Sequence, residues 1–335
     1  MTRRVQNLVV GIVAVVAVVV PLGLADRTFY IDMVLSAVIV TGLSLFIGYA
    51  GQISLGHGAF VAAGGLTVAV MTVRLDLPPS LALVCSPVVA ATLAYIVGLP
   101  LMRLRGHYLA FGTLALLLIV QAVMATVGFF GGGLGIFGIP KLGVGDFVMR
   151  DQLPYVYLSL ATLAVTLLVS RNIIHSRFGR GVRALSGSES AAASSGVPVL
   201  RTKLTIFALS GAFAGFAGGI LAFFIPYVSS ESFPVEDSIG YIIMAVVGGL
   251  GSIWGGTVGA VLISLLTQVL NAVSNQPGLP AETGTILQYG AYAVVLIVVL
   301  LFMPRGIVPT LSGAIERRER RETSMSASSQ SGVPG

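Results

Sequence analysis

The sequence predicts an all-α, polytopic integral membrane protein, and three observations carry that expectation. Only 10% of its 335 residues are charged and 56% are hydrophobic, whereas a soluble domain has about 25% charged residues. Long apolar runs free of Asp, Glu, Lys and Arg recur along the chain, each near the ~20 residues a helix needs to cross a bilayer. All the formal charges fall between those runs. The mean hydropathy of +0.96 agrees. The 42 glycines follow no three-residue period, which excludes a collagen-like chain, and Cys85 as the single cysteine excludes disulfide and cysteine-zinc frameworks.

Taken in order, the runs lie at 8–24, 33–49, 53–73, 81–102, 108–130, 153–170, 204–227, 239–250, 255–273 and 285–303. The first follows Arg3 and Arg4 and ends in small residues before Asp26, so it resembles a signal peptide. An uncleaved first helix is the expectation, because Pro21 sits close by and removing this span would leave the rest unchanged. The second and third are joined by Gly48-Tyr-Ala-Gly-Gln52, and the eighth and ninth by Gly248-Gly-Leu-Gly-Ser-Ile-Trp-Gly-Gly256. Either pair could form a re-entrant hairpin, which a bilayer tolerates only where irregular backbone is buried in protein or lines a cavity. The count is therefore eight to ten transmembrane helices.

Assigning alternate loops to the cytoplasm collects fifteen of the nineteen basic residues on that side, including Arg103, Arg105, Arg171, Arg177, Arg180, Arg183, Arg201 and Lys203. Nine of the thirteen acids fall on the other side. The Lys/Arg bias places both termini in the cytoplasm. Because the basic residues are spread over short loops beside apolar spans, the net charge of +6 marks topology and gives no nucleic-acid footprint. Residues 1–310 thus form the membrane domain and 311–335 a basic, then Ser- and Gly-rich tail expected to be disordered.

No hydrolase, zinc-protease or phosphate-loop motif occurs, and His57, His107 and His175 are scattered. No catalytic residue, metal site or bound cofactor is expected. An ion-coupled secondary transporter would normally place a charged side chain inside a span. None of the spans has one, although backbone carbonyls at broken helices could still hold sodium.

The longest cytoplasmic connection, 171–203, carries Ser188-Glu189-Ser-Ala191-Ala192-Ala193-Ser-Ser-Gly196-Val-Pro198. Its composition reads as a short helix stopped at Gly196 with Pro198 beyond. Composition alone leaves two uses open, docking of a partner on the small side chains or an amphipathic helix resting its arginines on anionic lipid.

The spacing of Glu189, Ala191, Ala192 and Gly196 resembles the EAA-type loop of ABC importer permeases, which in that family docks on a cytoplasmic ATPase. Gly48-Tyr-Ala-Gly-Gln-Ile-Ser-Leu-Gly-His57-Gly-Ala-Phe60, Gly135-Ile-Phe-Gly-Ile-Pro140, Tyr227-Val-Ser-Ser-Glu-Ser-Phe233, Gly248-Gly-Leu-Gly-Ser252 and Phe302-Met-Pro-Arg-Gly-Ile307 resemble, in order, the LivM-type permease of branched-chain amino acid importers. Urea-transport and ribose-type permeases share parts of the pattern. The resemblance implies a permease subunit in a bacterial inner membrane, surrounded by membrane lipid. It further implies a LivH-like second permease, two ATP-binding subunits that hold the ATP and magnesium, and an extracytoplasmic substrate-binding protein. Two departures stand out: the acid usual after Thr113-Leu114 is replaced by Ala115-Leu-Leu-Leu-Ile119, and the usual Gly-Ala-Tyr reads Gly64-Gly65-Leu66. If either position faces the path, it becomes more apolar, which weighs against polar substrates such as urea without naming an amino acid.

Gly48, Gly51, Gln52, Ser54 and His57, with Gly248, Gly249, Gly251 and Ser252, are the translocation-path candidates, because interrupted helices expose backbone dipoles at membrane depth. Close helix packing is the competing explanation for each of them. His57 alone reads better as a structural hydrogen-bonding residue, Gln121 as interhelical glue, and Gly211, Gly215, Gly218 and Gly219 as a packing face. For Glu189, a capping or surface role competes with ATPase docking. Arg177, Arg180 and Arg183 read as topology and lipid contacts.

Overall fold

A computed structural model describes residue 21, 27–104, 106–144, 147–274, 283–303 and 306–310. The expected first span at 8–24 and the tail 311–335 lie outside these residues. The described chain is mostly helical, with short strands and irregular stretches in its loops. The helices are α1 Thr28–Ala50, α2 Gly58–Ala69, α3 Pro79–Leu101, α4 His107–Thr126, α5 Gln152–His175, α6 Arg177–Gly187, α7 Glu189–Ser194, α8 Val199–Phe224, α9 Val235–Gly248, α10 Ile253–Ser274 and α11 Thr283–Phe302. A π-helical turn, Val70–Arg74, prolongs α2.

By length and apolarity α1, α3, α4, α5, α8 and α10 suffice to cross a membrane. At 14 residues α9 does not, since it reaches only about 21 Å at 1.5 Å per residue. The protein is thus a multi-pass membrane protein with two short helices, α2 and α9, among the long ones.

Close contacts fix the helix directions. Phe46 of α1 packs on Phe207 of α8 with ring centroids 4.8 Å apart, while Gly42 lies against Ser210 and Phe213, so α1 and α8 run antiparallel. Phe60 of α2 meets Gly211 and Gly215, and Gly65 meets Gly218 and Ala222, so α2 runs parallel to α8. Gly248 of α9 faces Gly255 and Gly259 of α10, making that pair antiparallel. Both glycine-rich links reach the end of the bundle that carries α6 and α7, here called the basic end. In each pair a long helix, α1 or α10, is joined at that end to a short one, α2 or α9.

The glycine series on α8 is a packing face. An added Cβ at Gly215 would lie 2.2 Å from Ala90 Cβ of α3, and one at Gly218 would lie 2.0 Å from the Val61 carbonyl oxygen of α2. With no hydrophobic drive between helices in lipid, such small residues let backbones approach and gain dispersion contact. One buried core joins α1, α2, α3 and α8 around Phe46, Phe60, Phe207 and Phe223. A second joins α1, α9, α10 and α11 around Leu43, Ala245, Ile263 and Tyr292. Shared by both, α1 is the most enclosed of the crossing helices.

Opposite the basic end, the loops form two short antiparallel ladders. Ile136–Phe137 (β1) pairs with Tyr227–Val228 (β4), and Gly143–Val144 (β2) pairs with Phe147–Val148 (β3). Phe137 stacks on Tyr227 at 4.4 Å.

Candidate functional site: a broken helix and the loop beneath it

α1 ends where Gly51 takes a left-handed conformation at φ 65° and returns its N–H to the Ile47 carbonyl. From there the chain does not restart as a helix at residue 53, as the apolar run suggested. It climbs back into the bundle without regular structure until Gly58. The departure has a physical basis in Gly56, where a Cβ would sit 1.7 Å from the Thr113 carbonyl oxygen. That closeness of backbones holds the segment away from a helical path.

Irregular backbone at membrane depth needs partners, and neighbouring hydroxyls supply them. The Leu55 N–H donates to Thr113 Oγ1 of α4 at 2.9 Å. The Gly58 N–H donates to Ser238 Oγ of α9 at 2.9 Å. His57 is fully enclosed, with Nδ1 2.9 Å from Ser54 Oγ and Nε2 2.6 Å from Ser210 Oγ, midway along α8. Three phenylalanine rings, Phe46, Phe60 and Phe207, surround the imidazole. Gln121 of α4 donates to the Phe233 carbonyl at 2.7 Å, serving the irregular stretch before α9. Ser54 and His57 therefore sit inside the protein and line no open channel in this conformation.

The remaining path candidates gather elsewhere, at the basic end. Gly48 lies against Leu250 and Gly251 so closely that a Cβ would stand 2.1 Å from the Gly251 nitrogen. Tyr49 closes the same contact, donating its hydroxyl to the Gly251 carbonyl at 2.7 Å. Gly306 packs on Gly249. Parts of three of the five sequence motifs thus meet in one cluster, formed by Gly48 and Tyr49, by Gly249 to Gly251, and by Gly306. The other two, 135–140 and 227–233, are joined at the far end by the β1–β4 ladder. Gly248 packs in the α9–α10 turn, and Ser252 opens α10 by accepting the Gly255 N–H at its carbonyl.

Beneath this cluster lies the connection 171–203. Ser176 caps α6, which turns Val182 and Leu185 inward and leaves Arg177, Arg180 and Arg183 exposed. Arg183 stands within electrostatic reach of Tyr49. Ser188 caps α7 by accepting the Ala191 N–H. Gly196, at φ 81°, ends the turn, and the Val197 N–H returns to the Ala192 carbonyl, so the expected stop at Gly196 is formed. Ala192 is only 2% exposed, whereas Ala191 and Ala193 face outward.

Glu189 forms an ion pair with Lys203 of α8 and accepts a 3.4 Å hydrogen bond from Gln52 Nε2. Lys203 is nearly buried. Sequence reasoning counted Lys203 as a topology charge and missed it as a partner. It also missed Thr113 and Ser210, whose one signal was that they are hydroxyls within apolar runs, and Ser238, which stands just before such a run. No cluster of metal-ligating side chains occurs among the described residues.

Broken helices inside a multi-pass bundle, set over a small-residue loop at its basic end, define the class of membrane transport components. Residues 28–303 match the family described as "Branched-chain amino acid transport system / permease component". The chain belongs to that family. Its relatives include the high-affinity branched-chain amino acid transport system permease protein LivM of Salmonella typhimurium, 29% identical over 80% of this chain and 66% of the relative. LivM of Escherichia coli is 28% identical over 91% of this chain and 75% of the relative. The xylose transport system permease protein XylH of Haemophilus influenzae is 34% identical, over 39% of this chain and 36% of that protein. No solved structure gives a significant match. The family consists of transport permease components, not enzymes, and a permease component works within a system of partner subunits.

Proposed function

We propose that the chain is the LivM-type membrane subunit of an ATP-driven importer for branched-chain or related amino acids in a bacterial inner membrane, with both termini cytoplasmic. The observation that supports this best is the capped, glycine-stopped α7 lying directly beneath the basic cluster of glycine motifs. α7 offers Ala191 and Ala193 to a groove on an ATP-binding subunit, while Ala192 anchors the helix on its own chain. Two such subunits, carrying ATP and magnesium, a LivH-like second permease and an extracytoplasmic binding protein complete the machine. Closure of the ATPases on ATP would push α7 and rock the helices between outward-open and inward-open states. The enclosed state of His57 and Ser54 is one in which the path is shut.

The test is purification of the tagged chain from its native membrane in mild detergent, followed by uptake in vesicles. Retention of an ATP-binding subunit and a second permease, with ATP-dependent uptake of leucine, isoleucine or valine in preference to urea, is the expected result. Recovery of the folded chain alone, with uptake that follows an ion gradient, would overturn it.

The placement of the alanines gives a sharper expectation. Ala191→Asp should leave the amount of folded chain within about twofold of wild type and abolish ATPase retention, as for an exposed substitution away from the core. Ala192→Asp buries a carboxylate without a partner and should instead lower the folded amount about tenfold or more. Quantifying chain and ATPase subunit in the same membranes separates the two; equal behaviour of both variants would remove the outward face of α7 as the docking surface.

A further inference from the structure

The ion pair beneath the broken helix has a structural consequence beyond docking. α7 has six residues, too few for an isolated helix to hold its shape in water. Its position depends on what it is tied to. One tie is Ala192 and the return bond from Val197, which fix α7 to the start of α8. The other is Glu189. Lys203 is nearly buried and needs a counter-charge where it stands, and the Glu189 carboxylate supplies it. The same carboxylate oxygen accepts from Gln52, 137 positions away and one residue past the left-handed Gly51 that begins the break. Tyr49 and Gly48, just before the break, hold the α9–α10 turn at Gly251.

We propose that Lys203, Glu189 and Gln52 form a transmission link that makes α7 and the broken segment 51–57 move as one body. Lys203 and Gln52 act as positioning residues for the coupling of ATP hydrolysis to transport. Lys203 fixes the Glu189 carboxylate against α8, and Gln52 takes up its motion at the point where α1 stops and the irregular backbone starts. From Gln52 the displacement passes through the irregular residues 53–55, which include Ser54, and reaches His57, whose carbonyl accepts hydrogen bonds from the first turn of α2. The proposal rests on the reading that α7 is where the ATP-binding subunits dock.

The experiment uses the assembled transporter in vesicles, measuring radiolabelled leucine uptake, ATP hydrolysis and retention of the ATP-binding subunits on the same samples. Lys203→Met and Gln52→Leu should each lower leucine uptake per ATP hydrolysed about tenfold, within the coupling range of contacting residues. Lys203→Met should keep the ATP-binding subunits bound. The Glu189→Gln/Lys203→Met double variant should be no worse than the worse single one, and Lys203→Arg should restore uptake to within about threefold of wild type. Gln52 is partly exposed, so its variant tests the link even where Lys203→Met lowers folded protein. An unchanged uptake-to-hydrolysis ratio in Gln52→Leu, or additive losses in the double variant, would overturn the link while leaving docking intact. Loss of the ATP-binding subunits from wild-type chain in the same assay would overturn the docking reading and the link with it.

Discussion

Gly64→Val is expected to leave less than about a tenth of the wild-type amount of folded chain in the membrane. A Cβ at Gly64 would stand 1.9 Å from the Gly215 carbonyl oxygen and 2.6 Å from the Gly215 Cα. Those atoms are backbone of α8, itself pinned on the other side by Ala90 and Ser86 of α3. No side chain can rotate away, so α2 and α8 must separate along the face that holds the first core together. Over-packing of a tight interior commonly costs about 1–3 kcal/mol, and each 1.4 kcal/mol is about a tenfold change in population. Gly240→Ala is the control. Nothing lies within 4 Å of a Cβ there, and alanine in a helix interior gains up to about 1 kcal/mol over glycine. Size-exclusion of the detergent-extracted chain measures both; equal folded yields for Gly64→Val and Gly240→Ala would show that the α2–α8 contact is not the tight one described.

Much of the bundle was legible because its signal is local. Uncharged runs mark spans residue by residue, and the loop charges suggest which ends lie together. The capped α7 was equally legible, since Ser188, Gly196 and Pro198 act within a turn of one another. What the sequence concealed was everything that depends on two distant segments meeting. Gly48 and Gly251 are 203 positions apart and each reads separately as a hinge or packing residue; only their contact turns two motifs into one cluster. The start of α2 was misplaced because residues 53–57 carry no Asp, Glu, Lys or Arg and so continue the uncharged run of the helix that follows. The feature that keeps them irregular, Thr113, belongs to another helix. Lys203 looked like one more cytoplasmic cation because burial of a charge beside its partner leaves no trace in composition. The alanines 191 to 193 are identical in sequence, and only the direction of each Cβ separates the anchor from the outward face.

The enclosure of His57 leads to the second large effect. With Nδ1 against Ser54 and Nε2 against Ser210, the imidazole bridges the broken segment to the middle of α8, and aromatic rings fill the space around it. A proton carrier needs a nitrogen that meets water at some stage, and neither nitrogen does here. His57→Leu should therefore act on folding rather than on chemistry. It strands two hydroxyls that have no water to turn to, at about 1–3 kcal/mol for each unsatisfied group. Folded chain and uptake should fall together, by about tenfold or more. His57→Gln keeps one bond across the gap and should fall between. Uptake per folded chain, followed from pH 5.5 to 8.5, should keep the wild-type profile in both variants. A normal folded yield with lost uptake, or a displaced pH profile, would instead place His57 on the translocation path. The irregular segment would then have to open to water during the cycle, with Ser54 and Ser210 releasing the ring, and the bridge described here would be one state of a gate.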